Sequence, residues 1–302
     1  VMDVMQQAHA VRKTLVGRNH PALQDSTQAF AALQQPIPPW QPSTHGNDGF
    51  TDPVFVVGFP RSGTTLLEQL LDAHPALVSF DEQPFLQHVV RRLGDDAASI
   101  EEAMATMTPA RWQRERAAYF AEVSEVAPAS AQLRPVDKNP LNMVRLPMLQ
   151  NLFPHSRVLL AIRHPCDVVL SCYLQNFRAP AFAVTFETLE STAQMYAKVF
   201  EHWFSAEPHM KLPVLLWKYE ELVADTEGRA RRLFDFLQLP WHAELLSFTE
   251  RAKDKGAIKT PSYTQVVEPV NARAVGRWQA YAEYFTPAVM QHLAPWIARF
   301  GY

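Results

Sequence analysis

The stretch VFVVGFPRSGTTLLEQLL, residues 54–71, decides the fold. An apolar, β-branched run leads into a turn bounded by Gly58 and Gly63, and an amphipathic run follows. That is the outline of strand, phosphate loop and helix. The glycines let backbone N–H groups crowd around an anion, and the helix N-terminus places its dipole behind them. In a nucleotide kinase the residue after the second glycine is a lysine that reaches the β- and γ-phosphates. Here that residue is Thr64, followed by Thr65, and the cation has moved into the loop as Arg61, beside Ser62. The expected ligand is an anion shorter than a triphosphate, gripped by the arginine and the hydroxyls. The competing reading is an ordinary strand–turn–helix with no ligand.

Outward from this stretch, strand and helix signals alternate. DPVFVVG, LRPVDK, SRVLLAI and PVLLWKY read as strands. Helices are expected after the loop, over 84–93 and 99–107, from Pro109, over HPCDVVLSCYLQNF, over 187–206, over EELVAD and TEGRARRLFDFLQL, and over 276–300. LNMVRLPMLQNLF reads as a helix kinked at Pro147. Such alternation implies a mostly parallel sheet covered on both faces. The fold class is therefore α/β: a P-loop-type, mostly parallel central sheet flanked by helices, with an N-terminal helical extension. Residues 1–35 read as helical, and QQPIPPWQPSTHGNDG, residues 34–49, as a joint. The expected division is 1–49, extension and linker, and 50–302, the main domain.

Composition narrows the partners. The 302 residues are 47% apolar, enough for a sizeable core. A net charge of −3 gives no broad attraction to nucleic acid or to an acidic membrane, so any anion is held by a few placed groups. Cys166 and Cys172 lie in one expected helix and read as buried thiols in a reducing compartment. There is no N-x-[ST] sequon, no apolar run of membrane-spanning length, and no signal-peptide pattern in VMDVMQQAHAVRKTL. The expectation is cytoplasmic. The opening Val1 leaves a longer parent chain open, and the oligomeric state is not legible.

PRSGTTLLEQLLDAHP resembles the phosphosulfate-binding loop of the sulfotransferases that use 3′-phosphoadenosine 5′-phosphosulfate (PAPS). The likeness is greatest to tyrosylprotein sulfotransferases and to bacterial sulfotransferases associated with tetratricopeptide repeats. It implies binding of PAPS, and of its desulfated product PAP, through Arg61, Ser62, Gly63, Thr64 and Thr65. In VLLAIRHPCDVVLSCY, residues 158–173, the resemblance implies that Arg163 and Ser171 hold the 3′-phosphate. Arg163 alternatively pairs with Asp167 at the helix start. The family's further arginine after this serine is here Gln175. WKYEELV, residues 217–223, resembles the segment whose tyrosine lies near the adenosine, which nominates Tyr219, or else a packing aromatic. PSYTQVVEPVNARAVGRW, residues 261–278, resembles the loop that closes over the nucleotide, and nominates Arg277 and Ser262.

Sulfuryl transfer needs cations at the leaving oxygen and a base opposite. The charge balance requires no metal, and no His/Cys/Asp cluster has metal-ligand spacing. SFDEQPFL offers Glu82 as the base, with Asp81 as the fallback, or else an acidic pair solvating a helix start. VDKNP offers Lys138, which resembles a family lysine facing the transferred group, or else a surface lysine. Pro84 and Phe85 follow Glu82 closely, and arginines come only at Arg91 and Arg92, unlike the short basic stretch that tyrosylprotein sulfotransferases carry there. The acceptor is a small molecule or a peptide. The alternatives are a P-loop phosphotransferase and a non-catalytic nucleotide-binding interaction protein.

Overall fold

The computed structural model describes residues 1–16, 37–41, 48–128, 132–177, 185–249 and 271–302. Five strands form one sheet: β1 (Val54–Gly58), β2 (Leu77–Ser79), β3 (Arg134–Lys138), β4 (Arg157–Ile162) and β5 (Val214–Lys218). Their order is β2-β3-β1-β4-β5, and every neighbouring pair is parallel. Val54 stands opposite Val136 on one side and Arg157 on the other. The chain leaves β1 toward β2 and β3, then returns past β1 to β4 and β5. The carboxyl ends around β1 therefore lie where the strand order reverses, the place where open parallel sheets form their crevice.

Eleven helices are described: α1 (Met2–Val16), α2 (Thr64–Asp72), α3 (Phe85–Leu93), α4 (Ala97–Ala105), α5 (Pro109–Val126), α6 (Leu146–Leu149), α7 (Pro165–Tyr173), α8 (Leu189–Ala206), α9 (Tyr219–Ala224), α10 (Thr226–Leu237) and α11 (Pro287–Phe300). They cover both faces of the sheet, and the strand sequences show why. In β1, Phe55 and Val57 join one core, with Tyr119 of α5 and Tyr196 and Phe200 of α8. Val54 and Val56 join the other, with Leu67 and Leu70 of α2 and Leu233 and Phe234 of α10. Alternate residues of β4 divide in the same way. Helix α1 belongs to the first core: Met2 is buried in it, and His9 Nε2 bonds the Tyr173 carbonyl at 3.0 Å.

Three details differ from the sequence reading. LVS, residues 77–79, is an edge strand pairing only β3, too short and too exposed to announce itself. The run after β3 is not one kinked helix. It is a 3-10 turn, Pro140–Val144, then α6, then a second 3-10 turn, Gln150–Leu152. Pro147 lies in the first turn of α6, where its missing N–H has no helical partner to lose. The C-terminal helix is likewise two pieces, a 3-10 segment Arg277–Tyr284 and then α11, which restarts at Pro287.

Candidate active site

The loop after β1 is shaped by two close approaches. A Cβ on Gly58 would lie 2.4 Å from the Ala161 carbonyl oxygen, so only glycine lets β1 run this near to β4. At Gly63, φ is +89° and a Cβ would lie 2.7 Å from the ring of Tyr219, so the loop and that ring touch. Arg61 also has positive φ, at 71°, a conformation that costs a non-glycine residue about 1 kcal/mol or more. Its Nε donates to Ser171 Oγ at 3.0 Å, which ties the loop arginine to α7. Burial lowers its pKa, and Arg163 and Arg277 nearby act in the same direction. No side chain caps α2, and the buried Ser62 Oγ has no hydrogen-bond partner.

Arg163 follows β4 and is buried. Its guanidinium lies over the Tyr219 ring, 5.2 Å from the centroid, and its Nη2 donates to the Ala274 carbonyl. Asp167 is 3.7 Å away, and its carboxylate is taken up elsewhere. It accepts the N–H groups of Gly276 at 2.7 Å and Trp278 at 2.8 Å, fastening the C-terminal turn over the site. Arg163 Nε is buried without a partner. Arg163, Ser171 and Arg277 line one small cavity of about 20 Å³. It shares Arg163 and Ala274 with a larger cavity of about 400 Å³.

The third part lies on the β2–β3 side. Glu82 lines the larger cavity with its side chain 43% exposed, and its Oε1 accepts from Lys138 Nζ at 3.1 Å. Lys138 and Glu68 are fully buried, and Glu68 Oε2 lies 3.2 Å from Nζ, an ion pair without hydrogen-bond alignment. Glu68 Oε1 accepts the N–H of Asp81 at 3.1 Å, where φ is 59°. That turn sends Glu82, and not Asp81, into the cavity wall. Burial pushes the Glu68 carboxyl up to about 7, against the pull of Lys138. For Lys138 burial acts downward, but the two carboxylates outweigh it and its pKa is raised.

Residues 53–243, well over half of the chain, match the model of the sulfotransferase family. The chain belongs to the sulfotransferase family. It is 26% identical over 261 residues to protein-tyrosine sulfotransferase 1 of Danio rerio, covering 82% of this chain and 72% of that protein. It is 28% identical over 269 residues to protein-tyrosine sulfotransferase A of Caenorhabditis elegans, covering 86% and 70%. It is also 29% identical over 250 residues to a longer protein of Aquifex aeolicus, of which the chain spans 32%. Among solved structures, the sulfotransferase domains of the curacin biosynthetic pathway and of the Synechococcus PCC 7002 olefin synthase each superpose with a TM-score of 0.57. They are 19% and 22% identical, and cover 84% and 87% of this chain and 98% of each domain. That likeness shows the sulfotransferase fold.

Of the residues expected from sequence, Arg61, Gly63, Thr64, Thr65, Glu82, Arg163 and Tyr219 meet in the wall of the larger cavity. Ser171 and Arg277 line the smaller one. Ser62 is buried in the loop. Lys138 is not in the wall but behind Glu82, paired with that carboxylate. Ser262 lies outside the described residues. The sequence reading missed Glu68 and Arg145. The available signal for Glu68 was a single charge in the otherwise uncharged run TTLLEQLL, residues 64–71. Both cysteines are unpaired and buried, and burial pushes Cys166 up to about 12. Among the described residues no group of three or more His, Cys, Asp or Glu could hold a metal, and no helix is long and apolar enough to cross a membrane.

Proposed function

We propose that this sulfotransferase takes its sulfuryl group from PAPS and passes it to a hydroxyl, or an amine, with Glu82 as general base. The supporting observation is one cavity wall holding Glu82 together with Arg61, Thr64, Thr65 and Arg163. The site fits an elongated anionic donor on its own terms: the start of α2 is uncapped, and Ser62 Oγ and Arg163 Nε are buried polar atoms without partners. The donor side would comprise the loop, Arg163, Ser171, Tyr219 and Arg277, with Ser262 a further candidate. When bound, the donor supplies the transferable group: a bond from sulfur to the acceptor oxygen forms as the bond from sulfur to the phosphate oxygen breaks, and PAP leaves.

Glu82 takes the acceptor proton as the acceptor attacks. Arg61, held by Ser171, places positive charge where negative charge grows on the leaving oxygen. Lys138 fixes the orientation of the Glu82 carboxylate, and Glu68 fixes the lysine. Tyr219 packs against Gly63 and beneath Arg163, suited to a flat base. The names of the protein-tyrosine sulfotransferase relatives make a peptide tyrosine one candidate acceptor. Of the two arginines downstream of Glu82, Arg92 is engaged by Glu115 and Glu122.

Thermal unfolding with PAP, and separately with ATP and Mg²⁺, tests the donor. A ligand at a hundred times its Kd stabilises by roughly 2.7 kcal/mol. PAP is expected to raise the midpoint without metal, and ATP to do so little. A larger rise with Mg-ATP would favour phosphoryl transfer and overturn this reading.

A further inference from the structure

Sulfuryl transfer from PAPS leaves one cation in the cavity without a task. Arg145 follows the 3-10 turn after β3 and lines the larger cavity. By strand order it belongs to the β2–β3 half, with Glu82, whereas Arg163 and Tyr219 stand on the β4–β5 half. Its residue is only 5% exposed. Among the described residues the one hydrogen bond from its guanidinium is a long one, Nη1 to the Leu141 carbonyl at 3.4 Å. No carboxylate among the described residues lies within ion-pair distance of it. Asp137 attracts it, but that carboxylate already accepts from Tyr119 at 2.9 Å and Asn142 at 3.0 Å. Burial pulls the Arg145 pKa down to about 10, Asp137 opposing and Arg91 adding to the fall, so the group stays charged at neutral pH. A buried cation left so lightly partnered is costly unless an anion completes it.

We propose that the acceptor carries an anionic oxyacid group, such as a carboxylate, which Arg145 binds while the reacting hydroxyl meets Glu82. Pro84, Pro140 and Leu141 line the same half and suit an apolar body between the two polar ends. A guanidinium grips such a group through paired hydrogen bonds, geometry that a neutral amide cannot match. This rests on the reading of Glu82 as the base. It names a substrate class that sequence did not show, because the expected basic stretch behind Glu82 is absent and the cation arrives from another element.

The test uses matched acceptors with labelled PAPS: 4-hydroxyphenylacetate against 4-hydroxyphenylacetamide, and the dipeptide Asp-Tyr against Asn-Tyr. Wild-type kcat/KM is expected to favour the acid of at least one pair by about tenfold or more, the usual worth of a hydrogen bond to a charged group. Preference in the first pair alone assigns a small acid, and preference in the second an acidic peptide. Arg145→Gln should bring the ratio close to one, mainly through KM, while PAP affinity by calorimetry holds. Arg145→Lys should keep part of the preference. If Arg145 serves only to balance Asp137, Arg145→Gln lowers the unfolding midpoint and leaves the ratio unchanged, which overturns the proposal. Equal use of acid and amide by the wild type in both pairs also overturns it, as does failure of every acid both to react and to bind the PAP-loaded protein. Failure of PAP itself to bind is a different result and removes the donor reading first.

Discussion

Glu82 and Arg163 stand on opposite halves of one cavity, and their substitutions separate chemistry from binding. Glu82→Gln keeps the shape and one acceptor oxygen for Lys138 but removes the carboxylate proposed as the base. Loss of a general base costs roughly 10²–10⁴ in rate, so kcat is expected to fall by that factor while PAP binds with near-normal affinity in calorimetry. Asp81→Asn is expected to stay active, because Asp81 contributes its backbone N–H to Glu68 and does not line the cavity. The reverse pattern would move the base to Asp81. Arg163→Ala removes a cation whose Nε has no protein partner and whose Nη2 meets only a carbonyl and, at longer range, Asp167. Its loss is expected to raise KM for PAPS by about ten- to hundredfold, the scale of a charge-assisted hydrogen bond, with a small change in unfolding midpoint. Normal PAP binding with early unfolding would make Arg163 an ion-pair partner of the fold instead.

At the scale of elements, the site is a meeting of strand ends, and the meeting is stitched by α7. Asp167, in the first turn of that helix, accepts two backbone N–H groups of the C-terminal turn, and the adjoining His164 ring stacks on Trp278 with centroids 5.2 Å apart. Asp167→Asn keeps one acceptor and turns a donor toward the other N–H. A lost bond of this kind costs about 1–3 kcal/mol, so amide exchange at Gly276 and Trp278 is expected to quicken by one to two orders of magnitude. Unchanged exchange at both amides would show that the turn is held by other contacts. What sequence reveals divides along the same line. β1, β4 and β5 carry apolar runs, and the loop residues are contiguous, so both are legible in one dimension. β2 is three residues long and pairs on one side, which leaves almost no pattern. Lys138 is legible as a charge at a strand end, but its partner Glu68 comes from α2 and its other partner, Glu82, from beyond β2. Arg145 looks like an ordinary helical cation until the broken run after β3 turns it into the cavity.

Over the whole molecule, two apolar cores sandwich a sheet whose carboxyl edge holds buried charge, and this makes stability depend on pH. Burial pushes two carboxyls, Glu68 and Asp137, up to about 7. Lys138 pulls on both, and Asp137 also receives hydrogen bonds from Tyr119 and Asn142. A carboxyl with a raised folded-state pKa binds its proton more tightly in the native state than in the unfolded one. The stabilisation is complete below the unfolded value, near 4, and is lost as the pH rises through the folded value, near 7. Glu68→Gln removes one such group while preserving an acceptor for the Asp81 N–H. The wild type is therefore expected to lose about 1–3 kcal/mol relative to the variant between about pH 4.5 and pH 7.5. For a chain of this size that is a change of several degrees in the difference between the two midpoints. Below about pH 7 Glu68 is protonated in the native wild type, so Lys138 has Glu82 as its sole charged partner in both proteins there, and the Lys138–Glu68 ion pair separates them only above that pH. Thermal unfolding of both proteins in steps of pH reads this directly: a difference in midpoint that changes between about pH 4.5 and pH 7.5 reports the Glu68 proton. Parallel curves would mean that Glu68 is ionised throughout, held by Lys138 as a plain ion pair despite its burial.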